Sequence, residues 1–471
     1  MTIDQRVEAL LGRLASEPQF PTQGETFFVD LERQEVRRAY IPRGVVQSFL
    51  GGRGVNMFLL HNLLDETLEP LDPEIPLIFG TGILTSLVPS ASRGNVSSWS
   101  PESKVLMDCN AGDYFPSFMK LNAIDHLVLY GKASRWTLLQ FAPEAISEEG
   151  RERDRLRPAV QMKLRFVDAS PLAGLNNIDL RARIAEDFSG VEGKDYGLAA
   201  ITSAGENLVL CSGIMAGPKA IYARGGPGAK MGSLNLKAVL IQGRTADLTP
   251  VRPHKTRNRE VAQKLLGTSV VKNALKTRGT PFLYKPSRML GAMGTKNNQE
   301  TTWTDKLDAE NIDPFRPGME GCFACPVNCR PLNDMTGCDH VPQDRYVKGD
   351  GPEYVTLGKF GPNLGISEVT QVLRLNNICN DLGLDTASTG SAISWAMELY
   401  QRGIIDQQTT GGLDLSWGNY DAIERLLFLT ASREGFGNVI ADSSRAVEKS
   451  HYPAEALQYL MAVKGLTQSD P

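Results

Sequence analysis

Hydrophobic residues follow two different patterns along this chain, and the pattern changes near residue 244. Before that point, short apolar runs alternate with glycine-containing loops, as expected for strands joined by tight connections. Helical spacing in this half covers Val45 to Asp65, around a turn at Gly51–Gly54. The sequence predicts strands at Pro76–Phe79, His126–Tyr130, Leu198–Ile201, Leu208–Leu210 and Ala238–Ile241.

The second half of the chain has the apolar spacing of helices. Ser367 is a candidate N-cap for a helix that runs to about Asp381, and Gly383 is a candidate stop signal. Further helices are predicted at Ser388–Gln401, Ala422–Glu434 and Val439–Tyr452. We therefore predict an α+β fold, with a β-rich domain at residues 1–243 and a helical domain at residues 244–471.

Charge and composition narrow the class of protein. Pro250 and Pro253 precede a basic stretch from His254 to Arg278, which we interpret as a connection and a helix with a solvated face. A net charge of −4 indicates no general nucleic-acid surface. No apolar run approaches the length of a membrane span, and the N-terminus lacks the apolar core of a secretory signal. Seven cysteines without a disulfide framework favour a reducing cytoplasm.

Three of the seven cysteines form a C-x2-C-x3-C run at Cys322, Cys325 and Cys329. Three thiolates on one short loop suit an iron-sulfur cluster, because each iron takes a cysteine sulfur. Zinc more often uses two separated pairs or histidines, and this chain has five His. The alternative is a set of structural cysteines whose spacing is accidental. Cys338 and Cys379 are candidates for a fourth thiolate.

Four other segments could bind a phosphorylated or heterocyclic cofactor. Glycine-rich loops expose backbone N–H groups, and arginine and asparagine side chains bind phosphate and ring edges. Each segment also has a structural interpretation: a turn, a surface ion pair at Arg93, a turn residue at Asn110, or a helix cap at Asp385. The segments are Pro89–Val96, Asp108–Phe115, Ala223–Ser233 and Cys379–Thr386.

Taken in this order, these segments resemble the tungsten-dependent aldehyde ferredoxin oxidoreductase family. The similarity extends from about Gly51 to the end of the chain. The segments that carry it are Gly51–Gly54, Ser92–Val96, Asn110–Gly112, Gly225–Ser233, Cys322–Cys329, Gly351–Tyr354, Asn380–Asp385 and Val463–Leu466. In the motif that begins at Asn380, asparagine replaces the family's leading aspartate, which keeps one acceptor and loses the charge.

The resemblance implies a tungsten or molybdenum ion held by two pterin groups, beside a [4Fe-4S] cluster, with Mg²⁺ bridging the pterin phosphates as a further candidate. It implies a two-sheet β base under the pterins, three cluster ligands at Cys322, Cys325 and Cys329, and a catalytic proton acceptor at Glu353. The residues implied to contact the cofactor are Arg93, Asn95, Asn110, Ala111, Gly112, Arg224, Gly225, Gly226, Gly228, Ala229, Asn380, Gly383, Leu384 and Asp385.

The end of the chain departs from the family. We expect the family's last helical domain to be missing, together with its second pterin motif, the fourth cluster cysteine and a late histidine. His451 falls too early to replace that histidine. The chain would then be a split protein whose partner carries the last domain, a fragment that binds one pterin or none, or a divergent member that uses Cys338.

The implied activity is oxidation of aldehydes to carboxylic acids, with electrons passing through the cluster to ferredoxin or another electron-transfer subunit. Two alternatives stay open: an inactive paralogue that serves as a scaffold or electron relay, and a relative that acts on an aromatic acyl-CoA. The expected partners are that electron carrier, a separate polypeptide with the last domain, and further copies of this chain. Nucleic acid and a membrane are not expected as partners.

Overall fold

The computed structural model describes residues 1–145, 160–246, 254–449 and 452–469. The predicted proline connection at Pro250 and Pro253, and the interpretation of His451, lie outside the described residues. The described first half is rich in β-structure. Its strands are β1 (Glu25–Asp30), β2 (Glu35–Ala39), β3 (Leu77–Thr81), β4 (Gly94–Trp99), β5 (Leu106–Ala111), β6 (Ile124–Tyr130), β7 (Thr137–Ala145), β8 (Val160–Asp168), β9 (Tyr196–Ala200), β10 (Ile214–Met215), β11 (Ile221–Tyr222) and β12 (Leu236–Gln242).

These strands form two six-stranded sheets, as the sequence resemblance implied. The first sheet has the order β2-β1-β6-β3-β4-β5, and the second has the order β11-β10-β9-β12-β7-β8. The pairs β1–β6 and β7–β12 are parallel, and the other pairs are antiparallel. Alternation along β1 explains the layering: Phe27 and Val29 lie in the core between the sheets, whereas Phe28 packs against helices on the outer face.

Helices cover both outer faces of the sheet pair. Leu59 and Leu63 from one helix pack on the outer face of the first sheet, and Leu180 and Ile184 from another pack on the second. Each helix presents one apolar stripe to its sheet. The helices of the first half are Ile3–Leu11, Arg43–Phe49, Gly52–Leu63, Phe115–Leu121, Asn177–Phe188, Ser203–Glu206 and Pro227–Ser233.

The second half is mainly helical, as predicted. The predicted helix after Ser367 spans Val369–Leu382 with Glu368 at the N-cap, and Gly383 ends it in the left-handed conformation with φ 66°. Its α-helices are Lys255–Gly267, Lys276–Arg278, Tyr284–Met289, Ala309–Ile312, Tyr354–Phe360, Val369–Leu382, Thr386–Gln401, Tyr420–Ser432, Gly437–Ala441 and Ala446–Lys449. None of the helices in the described part of the chain combines the length and apolar character needed to cross a lipid bilayer.

Two predicted elements are wrong. Leu208–Leu210 is a turn and not a strand, because Val209 is buried in the core of the helical half and the Leu210 N–H bonds to Ala441 O. The single helix predicted from Val439 is broken at Ser443, which has a φ of 50°. Ser443 donates a hydrogen bond to Glu102 of the first half, so tertiary contact overrides the local helical pattern there.

A small three-stranded sheet lies within the second half of the chain. Its strands are β13 (Met319–Glu320), β14 (Arg330–Asp334) and β15 (Lys348–Asp350), in the order β13-β14-β15. Residues 321–329 connect β13 to β14, and Glu353 follows β15. This sheet therefore holds the three-cysteine run and the predicted catalytic carboxylate near one another. A last hairpin consists of β16 (Ala462–Val463) and β17 (Leu466–Thr467).

Candidate functional site

The three-cysteine run forms a tight loop, residues 321–329, here called the cysteine loop. Ala324 and Asn328 both have a φ of 51°, which is an unfavourable left-handed conformation for a non-glycine residue. The Cys325 N–H donates to Cys322 O at 3.0 Å and closes the first turn. Backbone strain of this kind concentrates at ligand-binding and catalytic sites.

The cysteine loop packs directly on two of the loops singled out in the first half. At Gly112, a methyl group would lie 2.7 Å from the Cys322 sulfur, so the absence of a side chain allows this approach. Cys325 Sγ lies 3.3 Å from the Ser90 hydroxyl. The cysteine loop therefore lies against two segments that precede it by more than 200 residues in the sequence.

The environment of Cys329 shows that the thiols influence one another. Burial raises the pKa of the Cys329 thiol, and the Glu353 carboxylate and the Cys322 and Cys325 thiols raise it further. Within the described ranges, no three His, Cys, Asp or Glu side chains are gathered as ligands of a single metal ion. A [4Fe-4S] cluster spaces its cysteine sulfurs more widely than one ion does, so three free thiols on one loop match its donor chemistry.

Glu353 lies beside this loop at the N-cap position of the helix Tyr354–Phe360, but its side chain does not cap that helix. It forms an ion pair with Lys219 and accepts a hydrogen bond from the Thr280 hydroxyl. Burial raises the pKa of Glu353, but Lys219, Thr280 and the charge of Arg93 outweigh burial and leave the pKa below its ordinary value. Glu353 is therefore an ionised carboxylate, and its ion pair with Lys219 and its hydrogen bond from Thr280 fix its orientation.

Arg93, Asn95 and Asn110 occupy different surroundings. The Arg93 side chain is exposed and makes no hydrogen bond to another described residue. The Asn95 side chain is buried and donates to Asp108 Oδ1 at 2.5 Å and to Asn110 Oδ1 at 3.2 Å. Asn110 is exposed, and Asp108 accepts a hydrogen bond from its amide at 3.3 Å. Arg93 and Asn110 are thus accessible to a ligand. Asn95 is buried, and its hydrogen bonds go to Asp108 and Asn110 within the protein.

The glycine-rich loop is used mainly for packing. Methyl groups at Gly226 and Gly228 would lie 2.8 Å from Leu210 O and 2.6 Å from Gly213 O, and Ala229 is fully buried. These three positions allow close chain contacts, which is the structural interpretation of the loop. Lys230 of the same loop is fully buried and donates to Asp72 O at 2.7 Å.

Arg224 and the Gly225 N–H lie in a charged cluster with two carboxylates. The Gly225 N–H donates to Glu102 Oε2 at 3.0 Å, and Arg224 Nε lies 3.8 Å from Asp385 Oδ2. Arg224 Nη1 is buried without a hydrogen-bond partner among the described residues. An unsatisfied buried guanidinium nitrogen is costly, so a bound acceptor would stabilise it. Cys109 on β5 donates to Arg224 O at 2.6 Å and connects this cluster to neighbouring Asn110.

The motif from Asn380 to Asp385 is divided between two surroundings. Asn380 donates to Asp350 O at 2.9 Å and lines a small cavity of ≈ 130 Å³. At the other end, Asp385 accepts the Ala387 and Ser388 N–H groups and caps the helix Thr386–Gln401. Between them lie Gly383 and Leu384, whose backbone contacts the chain near Ser212. The capping interpretation of Asp385 therefore holds, together with its contact with Arg224.

Two protein-family models match almost the whole chain. Residues 26–243 match the model described as aldehyde ferredoxin oxidoreductase, N-terminal domain, and residues 257–470 match aldehyde ferredoxin oxidoreductase, domains 2 and 3. The chain belongs to this oxidoreductase family. The prediction that the last domain is missing is not supported, because the second model includes domains 2 and 3.

Individual relatives agree with this assignment. A tungsten-containing aldehyde ferredoxin oxidoreductase of Pyrococcus furiosus is 30% identical over 91% of this chain and 67% of that protein. The WOR-like subunit of an aliphatic sulfonate oxidoreductase, also of Pyrococcus furiosus, is 27% identical over 94% of this chain and 70% of that protein. The chain thus spans about two thirds of the length of these relatives.

A solved structure is similar in fold. It is the active-site complex BamBC of benzoyl coenzyme A reductase with 1,5-dienoyl-CoA, with a TM-score of 0.76 and 23% identity. The match covers 95% of this chain and 66% of that chain. At this identity the comparison supports the arrangement of a β-rich first half and a helical second half.

Sequence patterns missed three residues of the candidate site. Glu102 lies in a polar stretch without a motif, and Lys219 and Thr280 each lie next to a proline in the sequence. They were not detectable because their importance comes from distant partners: Gly225 for Glu102, and Glu353 for Lys219 and Thr280. A family pattern alone would not separate them from ordinary loop residues.

Glu102 gives a testable dependence of stability on pH. Burial and the nearby Asp385 carboxylate raise the pKa of Glu102 to about 7. A carboxyl whose pKa is raised in the folded state favours folding below its unfolded pKa, and this contribution is lost as pH rises through about 7. We expect Glu102→Gln to gain stability over the native protein between pH 5 and 8, by at most roughly 3 kcal/mol.

Thermal unfolding of the two proteins across this pH range measures the effect. Glu69→Gln is the matched control, because Glu69 is 77% exposed. Its melting temperature should track that of the native protein at every pH. A constant difference between Glu102→Gln and the native protein across the range would contradict a carboxyl that titrates near neutrality.

Proposed function

We propose that this chain oxidises aldehydes to carboxylic acids at a tungsten-pterin centre and passes the electrons through a [4Fe-4S] cluster to ferredoxin or another electron-transfer protein. One aldehyde and one water give one carboxylic acid, two protons and two electrons. The observation that carries the proposal is the packing of the cysteine loop on Ser90 and Gly112, two loops that the family resemblance assigns to the cofactor.

The residues present fit these groups. Cys322, Cys325 and Cys329 would supply three sulfur ligands to the cluster. The partnerless Arg224 Nη1 would donate to the pterin group, beside the Gly225 N–H. Exposed Arg93 and Asn110 would contact the same group from the other loops, and Asn95 would orient Asn110 from below. A tungsten-pterin group, when bound, supplies the two-electron chemistry at the aldehyde carbon.

Glu353 is proposed to accept the proton released when water adds to the aldehyde carbon. Its carboxylate is ionised at neutral pH because the Lys219 ion pair and the Thr280 hydrogen bond lower its pKa. The same two contacts hold the acceptor oxygens in one orientation, which a proton transfer requires. Lys219 and Thr280 are thus proposed as positioning residues.

The relatives' names support the metal and the partner. Tungsten and ferredoxin appear in the name of the 30% identical Pyrococcus furiosus protein, and two other matches are a subunit and a multi-chain complex. We therefore propose that a separate electron-transfer chain accompanies this one. All seven cysteines are free, which suits a reducing cytoplasm. The domain boundary near residue 243, a homo-oligomer and Mg²⁺ stay predictions.

Metal content and dye reduction test the proposal together. The chain is expressed anaerobically with tungstate, and in parallel with molybdate, and is assayed for metals and for aldehyde-dependent reduction of benzyl viologen. We expect about one tungsten and about four irons per chain, with dye reduction that requires aldehyde. Iron without tungsten or molybdenum, and without aldehyde-dependent reduction, would favour the electron-relay alternative over the enzyme.

A further inference from the structure

A strongly basic segment adjoins the cysteine loop. Residues 254–290, here called the basic segment, contain nine Lys or Arg and one acidic residue, Glu260, for a net charge of +8. Because the chain as a whole carries −4, its other residues carry −12. Such separation of charge on a protein surface steers a partner of opposite sign towards the charged region.

Seven of the nine cations of this segment are exposed, and five of these have no ion-pair partner among the described residues. The helix Lys255–Gly267 has no buried residue along its 13 residues, so it is packed against the rest of the protein only lightly. The ion pairs of the segment involve its other basic residues and do not neutralise all of it. Five exposed cations have no ion-pair partner among the described residues: Lys255, Arg259, Lys264, Lys272 and Lys276.

An apolar cleft lies within the same segment. It has a volume of ≈ 550 Å³, and Phe282, Pro286, Met289 and Leu290 contribute to its lining. Met289 is 73% exposed and Leu290 is 82% exposed. Large apolar side chains at such exposure, surrounded by charge, are typical of a surface that binds another protein.

The basic segment contacts the cysteine loop directly and also contacts a second loop that touches the cysteine loop. A methyl group at Gly279 would lie 2.5 Å from Cys329 O, so the segment contacts the end of the cysteine loop. Asn258 donates to Leu87 O at 2.9 Å, and Ser90 of that same loop lies 3.3 Å from Cys325 Sγ. A protein bound to the basic segment would therefore lie beside the cysteine loop.

We propose that the basic segment and its apolar cleft are the docking surface for a small acidic electron-transfer protein. The inference rests on the proposed function, in which electrons leave through the cysteine loop, and it names the surface where they leave. Electron-transfer pairs use small interfaces, below about 1,200 Å², whose opposite charges speed encounter. The apolar cleft is lined in part by Arg278 and Lys285, and the same segment carries five further exposed cations, which suits such a partner.

Charge reversal of the segment tests this surface. The variant carries Lys264→Glu, Lys272→Glu and Lys276→Glu, all at exposed positions without an ion-pair partner in the described part of the chain. The probe is a purified two-cluster [4Fe-4S] ferredoxin of acidic isoelectric point, and its binding to the full-length protein is measured by surface plasmon resonance. We expect the variant to bind at least about tenfold more weakly at low salt, with a flatter salt dependence.

A matched control reverses three exposed cations elsewhere: Lys132→Glu, Arg165→Glu and Arg425→Glu. It should keep the native affinity. Equal binding by the native protein and the segment variant, or an equal loss in the control, overturns the proposal. So does a native protein that uses the segment to bind nucleic acid or a second copy of itself and does not bind ferredoxin.

Two readouts separate this inference from the proposed function. Benzyl viologen is a small dye that needs no protein docking surface, so aldehyde-dependent dye reduction should be unchanged in the segment variant. Loss of ferredoxin binding with intact dye reduction supports the docking surface. Absence of dye reduction in the native protein contradicts the proposed function. In that case the ferredoxin affinities of the native protein, the segment variant and the control still show whether the basic segment is the docking surface.

Discussion

Replacing Cys329 by serine is expected to remove the iron-sulfur cluster while the protein stays folded. Serine has nearly the same shape as cysteine but does not provide the thiolate that iron requires. Iron content should fall from about four per chain to well below one. The rate of aldehyde-dependent electron delivery should fall at least about 100-fold. Substitution of groups outside the ligand shell of a metal site already lowers metal affinity or activity by about 10- to 100-fold, and Cys329 is proposed as a ligand itself.

Cys338→Ser is the matched control for this experiment. Cys338 lies in the loop between β14 and β15 and packs against the core of the helical half. The largest charge effects on Cys329 come from Glu353, Cys322, Cys325 and Lys219, and not from Cys338. Cys338→Ser should therefore keep its iron, as measured by metal analysis and visible absorption. Equal iron in Cys329→Ser and the native protein would refute the cysteine loop as the cluster site.

Replacing Glu353 by glutamine is expected to lower kcat by about 10²- to 10⁴-fold with little change in KM. Glutamine keeps the shape of the side chain and its hydrogen bond from Thr280, but it cannot accept a proton at neutral pH. The matched control is Glu368→Gln. Glu368 also occupies a helix N-cap position and also pairs with a lysine, Lys306, at 3.0 Å.

The pH profile separates a proton acceptor from a structural carboxylate. The pKa of Glu353 is lowered, so the carboxylate is ionised above that pKa and activity falls as pH drops through it. The acid limb of kcat should lie below the ordinary pKa of glutamate. Lys219→Met removes the charge that lowers the pKa and should move this limb to higher pH. An unchanged limb in Lys219→Met, or native kcat in Glu353→Gln, would contradict the role.

Local sequence patterns were sufficient for most secondary structure. The apolar run that ends at Tyr130 lies in strand β6, and the runs around Ala199 and Val239 lie in strands β9 and β12. These strands are buried on both faces, and such strands are continuous apolar runs in the sequence. The turn at Gly383 was also predictable, since a left-handed helix end favours glycine. The missed elements, around Leu208 and Ser443, are those whose conformation depends on contacts between the two halves.

The sequence predicted which residues to consider for the candidate site, but it predicted only part of how those residues are arranged in space. The spacing of Cys322, Cys325 and Cys329 indicated a shared loop, and that loop exists. The glycine-rich loop was a candidate for binding a phosphorylated cofactor, which stays a prediction, and Gly226 and Gly228 in this loop allow close packing. No local pattern distinguishes a glycine that faces a ligand from one that faces another part of the chain, because both need only the missing side chain.

The sequence by itself determined the classes of element and the chemistry available: strands before residue 244, helices after it, and thiols grouped on one loop. Only the tertiary structure decided which groups meet. Contacts such as Cys322 with Gly112, Lys219 with Glu353 and the basic segment with the cysteine loop join residues that are far apart in the chain. Their strength depends on distance and burial in the folded protein, and these quantities are not encoded in the spacing of residues along the sequence.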